Sequence, residues 1–130
     1  MHRIDLLVDL AGNKKVVDVT VRHPKDGYKE CGDEAAAGEK FKVKFIQDRY
    51  HISKEHIIPF SIEAYGVLGN KAKEFLRAVA KFKTGDDKGA YSSILRFYRA
   101  RIAVAVQRGN VIAINRWRAR CGAAAAAVGA

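Results

Sequence analysis

The sequence has little cysteine and no long apolar run. Its 130 residues include two cysteines, Cys31 and Cys121. Two cysteines form neither a disulfide framework nor a metal-binding set, so a reducing compartment is the expected environment. No stretch approaches the roughly 18 consecutive apolar residues of a transmembrane helix, and no membrane association is predicted. Residues 1–3 leave no room for a signal peptide before the first predicted strand, so an intracellular location is expected.

Three constellations that carry common chemistries are also missing. The chain contains no Gly-rich phosphate-binding loop, no Cys/His cluster and no Ser/His/Asp constellation. Their absence argues against a kinase, a zinc protein and a serine hydrolase. His51 and His56 are not spaced as a metal-binding pair either.

Acidic residues are scarce relative to basic ones. The chain has 14 acidic residues against 24 lysines and arginines, a formal net charge of +10. Such an excess favours a polyanionic partner, and arginine suits phosphate oxygens through its planar donor fork. Residues 88–120 contain eight basic residues and no acidic one. The nucleic-acid-binding residues predicted in this stretch are Arg96, Arg99, Arg101, Arg108, Arg116 and Arg118.

Length and composition predict one α/β domain. An apolar share of 48% and an aromatic share of 9% fit a globular chain with a real core. Residues 1–120 form the predicted domain, and the Ala-rich tail 121–130 carries no functional signal. The predicted elements are a hairpin at 3–22, a strand at about 56–65, and helices at about 34–48, 71–83, 89–108 and 111–118.

Two details of the helices follow from residue type and spacing. In the first helix, Ala37, Phe41 and Phe45 are four residues apart and predict a buried stripe in company with Ile46. Near the end of the chain, residues 107–110 contain Gly109 and are expected to break the helix there.

The segment 3–22, RIDLLVDLAGNKKVVDVTVR, is typical of a β-hairpin. Gly12 and Asn13 suit a two-residue turn, which would place Leu7 opposite Asp18 and Asp5 opposite Thr20. Alternation then predicts a wholly apolar core face with the following members: Leu6, Val8, Val17, Val19 and Val21.

The opposite face of the hairpin is acidic, with Asp5, Asp9 and Asp18 on it. Strand propensity is low for aspartate, so the repetition needs an explanation. One interpretation is the solvated face of an edge hairpin. The other is a pair of ligands for a hard divalent cation such as Mg²⁺ or Mn²⁺.

The hairpin resembles the core of PD-(D/E)XK nucleases. Arg3-Ile4-Asp5, thirteen residues, then Val17-Asp18-Val19-Thr20-Val21 is most similar to the restriction-like endonuclease at the C-terminus of non-LTR retrotransposon polyproteins. The resemblance implies a restriction-endonuclease-like mixed sheet flanked by helices, with Asp5 and Asp18 as catalytic metal ligands. Ile4 stands where the family usually has proline, and Thr20 stands where the ordinary motif has lysine.

In the resembling endonucleases the lysine has moved to the following helix, four residues before a tyrosine. Here Lys40 is five residues before Phe45 and Lys42 is three residues before it. Lys40 is the predicted catalytic lysine, because it follows a run of small residues as in the family. Lys42 and Lys44 are further candidates, as are Asp9 and Thr20.

The segment Pro59-Phe60, two residues, then Glu63-Ala64-Tyr65-Gly66 also resembles that family, in which a strand of this kind follows the lysine helix. Glu63 is either a further metal or water contact or a structural partner of an arginine; the structural pairing is the favoured interpretation.

The resemblance implies a Mg²⁺- or Mn²⁺-dependent DNA endonuclease, acting beside a reverse transcriptase and other domains of a longer polyprotein. Its location would be nuclear if it acts on chromosomal DNA. Such nucleases carry a helix before the first acidic strand, so the chain is expected to be a fragment or a terminal domain. Two alternatives stay open: an inactive nucleic-acid-binding remnant of the domain, and a structural or interaction module.

Overall fold

A three-stranded mixed sheet lies at the centre of the fold. In the computed structural model, which describes residues 4–23 and 30–129, the strands are β1 (Leu6–Leu10), β2 (Asn13–Arg22) and β3 (Ile57–Glu63). β2 is central: it pairs antiparallel with β1 and parallel with β3. The sheet and its helices confirm the predicted mixed α/β class. The predicted strand start at Arg3, most of the predicted loop after His23, and Ala130 lie outside the described residues.

The hairpin turn sits one residue earlier than predicted. Ala11 and Gly12 occupy it, with φ of 54° and 82°, and Leu10 pairs with Asn13. Positive φ at both central residues is the requirement of a type I′ turn, which matches the twist of the flanking strands. Asp9 explains why alanine accepts this conformation, because its Oδ1 accepts a hydrogen bond from the Gly12 N–H at 2.8 Å. The turn is therefore fixed by a side chain as well as by glycine.

The shifted turn changes the pairing but not the faces of the hairpin. Leu7 lies opposite Val16, so the predicted pairing of Leu7 with Asp18 was wrong. The partner of each residue moves by two positions, and a shift of two preserves the side of the sheet to which each side chain points. Asp5, Asp9 and Asp18 therefore stay on one face.

Helix α1 (Asp33–Tyr50) connects β2 to the parallel strand β3, and is followed by a short 3₁₀ turn at Lys54–His56. The predicted buried stripe was wrong apart from Ile46. Phe41 is 56% exposed and stacks on Phe45 with ring centroids 6.1 Å apart. The residues that α1 buries are Ala35, Gly38, Lys42 and Ile46.

Gly38 is the reason that α1 packs with this side inward. A Cβ atom there would lie 2.4 Å from the Ser61 Oγ and 3.0 Å from the Arg22 Cγ. No side chain fits in that space, so the helix approaches the sheet at its glycine. The larger aromatic residues are consequently left on the outer side.

Helices α2 (Asn70–Thr84) and α3 (Lys88–Gly129) cover the opposite face of the sheet. The core there is built on Val17, Phe60, Ala72 and Leu76, against which Leu95, Tyr98 and Ile102 of α3 pack. The predicted apolar core face is only partly buried. Its exposed members are Leu6 at 52%, Val19 at 41% and Val21 at 46%. α2 and α3 therefore cover this face at the level of Val17 and leave the rest of it accessible.

The predicted break at 107–110 is absent, and α3 is one helix of 42 residues, about 63 Å long at about 1.5 Å per residue. Gly109 meets no atom within 4 Å and remains helical. Asn110 holds this part of α3 to the sheet, because its Nδ2 donates a hydrogen bond to the Ala64 carbonyl at 2.7 Å. The predicted helix end at about residue 118 was also wrong, since α3 continues to Gly129.

No helix in the described ranges has the combination of length and apolar character needed to cross a membrane.

Candidate functional site

A buried ion pair lies between the central strand and α1. The Lys42 Nζ is 2.9 Å from the Asp18 Oδ2, and the two side chains are 11% and 0% exposed. β2 carries Asp18 on the side of the sheet that α1 covers, and Lys42 lies four residues after Gly38 on the inward side of that helix. The close approach at Gly38 therefore brings this lysine to the aspartate.

Asp5 lies just before β1, at the edge of the hairpin. The register of Leu6 with Val17, continued by one residue, places Asp5 opposite Asp18 rather than opposite Thr20. Its Oδ2 accepts a hydrogen bond from the Val19 N–H at 2.8 Å. The carboxylate thus takes the place of a strand carbonyl where the pairing of β1 with β2 ends. By this register the two aspartates predicted as metal ligands occupy facing positions of the hairpin, Asp5 exposed and Asp18 buried.

Polar residues continue along the α1 side of the sheet beyond Asp18. On β2 they are Thr20 and Arg22, and on β3 they are Ser61 and Glu63. Thr20 is half-buried, two residues beyond Asp18, and lies opposite Ser61. These polar side chains, like Asp18, therefore lie between the sheet and α1, whereas Asp5 and Asp9 of the same hairpin face are exposed.

Glu63 lies at the far end of this polar side. It is 1% exposed, and its Oε1 accepts a hydrogen bond from the Ala35 N–H at 3.3 Å. A carboxylate at this position compensates the partial positive charge of the α1 N-terminus. Its register partner is Arg22, whose Nη2 is 3.5 Å from the Glu34 Oε2.

Glu63 is distant from the aspartates along the sheet. Asp18 is level with Pro59 of β3, four residues before Glu63, which corresponds to about 13 Å along the strand. Glu63 therefore supports the start of α1, and the structure does not bring it to the side of Asp18.

Comparisons with protein-family models, with curated proteins and with solved structures found no match to this chain.

The remaining candidate residues of the hairpin and α1 lie elsewhere. Lys40 and Lys44 are exposed, and Lys42 takes the position beside Asp18 that the sequence resemblance predicts for Lys40. The physical reason is that the inward side of α1 follows Ala35 and Gly38 rather than the phenylalanines. Asp9 is committed to the hairpin turn through its bond to the Gly12 N–H. A signal for Lys42 was present in the sequence: it is four residues after a glycine.

The six predicted nucleic-acid-binding arginines are all exposed on α3. They do not form one stripe: Arg99 and Arg101 are two positions apart, which is about 160° around a helix of 3.6 residues per turn. Arg101 lies over the Phe97 ring with its Cζ 5.5 Å from the centroid. The helix is therefore basic on several sides.

The donor atoms near Asp18 suit a hard cation. Carboxylate oxygens are the side-chain ligands that Mg²⁺ and Mn²⁺ prefer, and Asp5 and Asp18 supply them from neighbouring positions. Over residues 4–23 and 30–129, no group of three or more histidine, cysteine, aspartate or glutamate side chains is placed to hold a metal. Asp5 and Asp18 are therefore not part of a larger ligand cluster within these residues.

Proposed function

We propose that this chain is a metal-dependent endonuclease that hydrolyses DNA phosphodiester bonds. The observation that carries the proposal is the approach of the Lys42 ammonium to the Asp18 carboxylate, at 2.9 Å, beside Asp5. The resemblance implies this combination of two acids on a hairpin and a lysine from the next helix. Each of the three comes from a different element: the segment before β1, the strand β2 and the helix α1.

The order of the elements also supports a restriction-endonuclease-like fold. An acidic antiparallel hairpin is followed by the lysine helix, and this helix leads to a strand parallel to β2. That is the order in which the resembling motifs occur in the sequence. We therefore propose the same fold class for the domain.

Asp5 and Asp18 would hold Mg²⁺ or Mn²⁺. When bound, this ion would polarise a phosphoryl oxygen and lower the pKa of the attacking water. Lys42 holds a positive charge at a fixed position beside these acids, where it would orient the attacking water or stabilise negative charge developing on the phosphate. Thr20 stands two residues after Asp18 and carries no charge, so the cation has to come from the helix. The exposed arginines of α3 would contact backbone phosphates without reading sequence.

By the same resemblance, target choice would belong to other domains of a longer polyprotein that includes a reverse transcriptase. Action on chromosomal DNA would place the protein in the nucleus.

The test is nicking of supercoiled plasmid with Mg²⁺ or Mn²⁺, by the wild-type protein and by Asp18→Asn. We expect metal-dependent nicking by the wild type and its loss in the variant, with DNA binding in EDTA retained by both. Equal nicking by both proteins would overturn the assignment of Asp18. Nicking that persists in EDTA would overturn the metal dependence.

A second candidate function is DNA binding without cleavage. The observation that favours it is that Asp18 is completely buried and already bonded to a lysine, as in a purely structural ion pair. This candidate predicts binding that weakens with salt, and no nicking with either metal.

A further inference from the structure

A second cluster of charge lies on the opposite side of the sheet from Asp18. A cleft of about 510 Å³ between α2 and α3 is lined by Lys73, Arg77 and Arg99, with the Gly66–Leu68 turn at one end. None of the described residues that line it is acidic. Two of its three cations lie on α2, outside the arginine-rich stretch that the sequence singled out.

The three cations are held on rigid elements. Lys73 and Arg77 are four residues apart, so they project from the same side of α2 one turn from each other. Their neighbours Ala72 and Leu76 belong to the core, and Tyr98 and Ile102, on either side of Arg99 in α3, pack against it. Packing on the sheet therefore brings the three positive charges to one cleft.

Within residues 4–23 and 30–129, no acid is paired with these charges. Among the described residues, none of the three side chains takes part in an ion pair or a hydrogen bond. Two acids of α1 and α2 near the start of α2 are already engaged, since Glu39 accepts from the Lys71 N–H and Glu74 pairs with the Lys71 ammonium. α3 contains no acidic residue at all. Three like charges in one cleft repel each other, and a bound anion relieves that repulsion.

We infer that this cleft binds a phosphodiester group of a nucleic acid backbone. Arginine and lysine are the side chains that hold phosphate oxygens, and the planar donor forks of Arg77 and Arg99 suit two oxygens of one phosphate. Positive charge continues beyond the cleft, because Arg96 lies one turn before Arg99 and is exposed. A nucleic acid backbone has further phosphates that can contact Arg96, whereas a single free phosphate in the cleft has none. The inference rests on the proposed function for the identity of the ligand, but not for cleavage.

The test is binding of a short fluorescent DNA duplex in EDTA, measured by anisotropy over a range of salt concentrations. The test variant is Lys73→Gln/Arg77→Gln/Arg99→Gln. The control is Lys14→Gln/Lys54→Gln/Lys83→Gln, which removes three exposed positive charges outside the cleft and so changes the net charge equally. Circular dichroism melts check the folding of both variants, which we expect to be retained because the replaced side chains are exposed or half-buried.

Removing one cation that binds a DNA phosphate reduces the slope of log affinity against log salt by about 0.9 for duplex DNA. We expect the magnitude of this negative slope to decrease by about 2 to 3 in the cleft variant and by less than about 1 in the control. Equal slopes for the two variants would overturn the inference. The inference would also be overturned if inorganic phosphate displaced the DNA at the same phosphate concentration at which DNA saturates the wild-type protein. Because EDTA prevents cleavage, failure of the nicking experiment leaves this result interpretable.

Discussion

Replacing Lys42 by methionine removes the only charge of the side chain and keeps most of its length, so it isolates the ion pair with Asp18. The variant leaves a completely buried carboxylate without the cation that lies 2.9 Å from it. Breaking a buried pair in this way costs about 3–5 kcal/mol of the free energy of unfolding. For a domain of this size that corresponds to a fall in melting temperature of roughly 10–20 °C.

Lys40 and Lys44 provide matched controls for this experiment. They are lysines of the same helix, two residues to either side, and both are exposed. Lys40→Met and Lys44→Met should change the free energy of unfolding by no more than about 0.5 kcal/mol. Urea denaturation followed by circular dichroism measures all three variants.

The double variant Asp18→Asn/Lys42→Met tests whether the two charges act on each other. Removing both should be less destabilising than the sum of the single changes, with a coupling of about 1–3 kcal/mol. If Lys42→Met unfolds with the same midpoint and slope as the two controls, the buried pair is not present and the reasoning about the site is refuted.

Three other expectations follow from the packing. Gly38→Ala should lower the free energy of unfolding by about 1–3 kcal/mol, because its Cβ would lie 2.4 Å from the Ser61 Oγ. Gly109→Ala should raise the free energy of unfolding by about 0.5–1 kcal/mol, because no atom lies within 4 Å of its Cβ position. Thermal melts compare the two glycines, and equal effects would contradict the close approach of α1. Ala11→Gly should stabilise by about 1 kcal/mol in urea denaturation, because Ala11 has a φ of 54°, and a loss of stability would argue against the turn at Ala11–Gly12. Asn110→Ala should cost about 1 kcal/mol by removing the bond to the Ala64 carbonyl, and hydrogen exchange at this part of α3 should quicken; unchanged exchange would contradict the anchor.

The sequence was sufficient to predict the element types but not the side of α1 that faces the sheet. Alternation and helical spacing located the hairpin, the helices α1 and α2, and the strand β3 to within a few residues. Hydrophobicity favours burial of Phe41 and Phe45, but the close approach at Gly38 leaves room only for small residues and one extended lysine. That constraint comes from β3, through Ser61, and is not visible in the helix sequence itself.

The turn and α3 show the same limit. Gly12-Asn13 and Ala11-Gly12 are both possible centres for a two-residue turn, and the bond from Gly12 to Asp9 is a local contact that favours the second. In α3 the glycine costs only about 1 kcal/mol, too little to end a helix that is packed on one side by Tyr98 and Ile102 and bonded at Asn110. A local conformational preference does not decide the structure where a tertiary contact contributes more free energy.

Asp5 and Asp18 were placed on one face by alternation alone, and the shift of the turn left that result unchanged because it moved each partner by two positions. The spacing of Lys42 from Gly38 was visible in the sequence, but only the packing of α1 shows that Gly38 faces the sheet. Lys73 and Arg77 were missed because they lie on α2, whose basic residues are interspersed with apolar ones and, unlike those of residues 88–120, are accompanied by an acid, Glu74.

The central claim is that Lys42, held beside Asp18 and Asp5, completes a catalytic group for DNA cleavage. The most direct measurement is plasmid nicking with Mn²⁺ by the wild type, Lys40→Met, Lys44→Met and Lys42→Met, at a temperature where all four are folded. We predict that the wild type and the two control variants nick at similar rates and that Lys42→Met does not nick, while all four bind DNA in EDTA. Nicking by Lys42→Met at the wild-type rate, or no nicking by the wild-type protein, would contradict the claim.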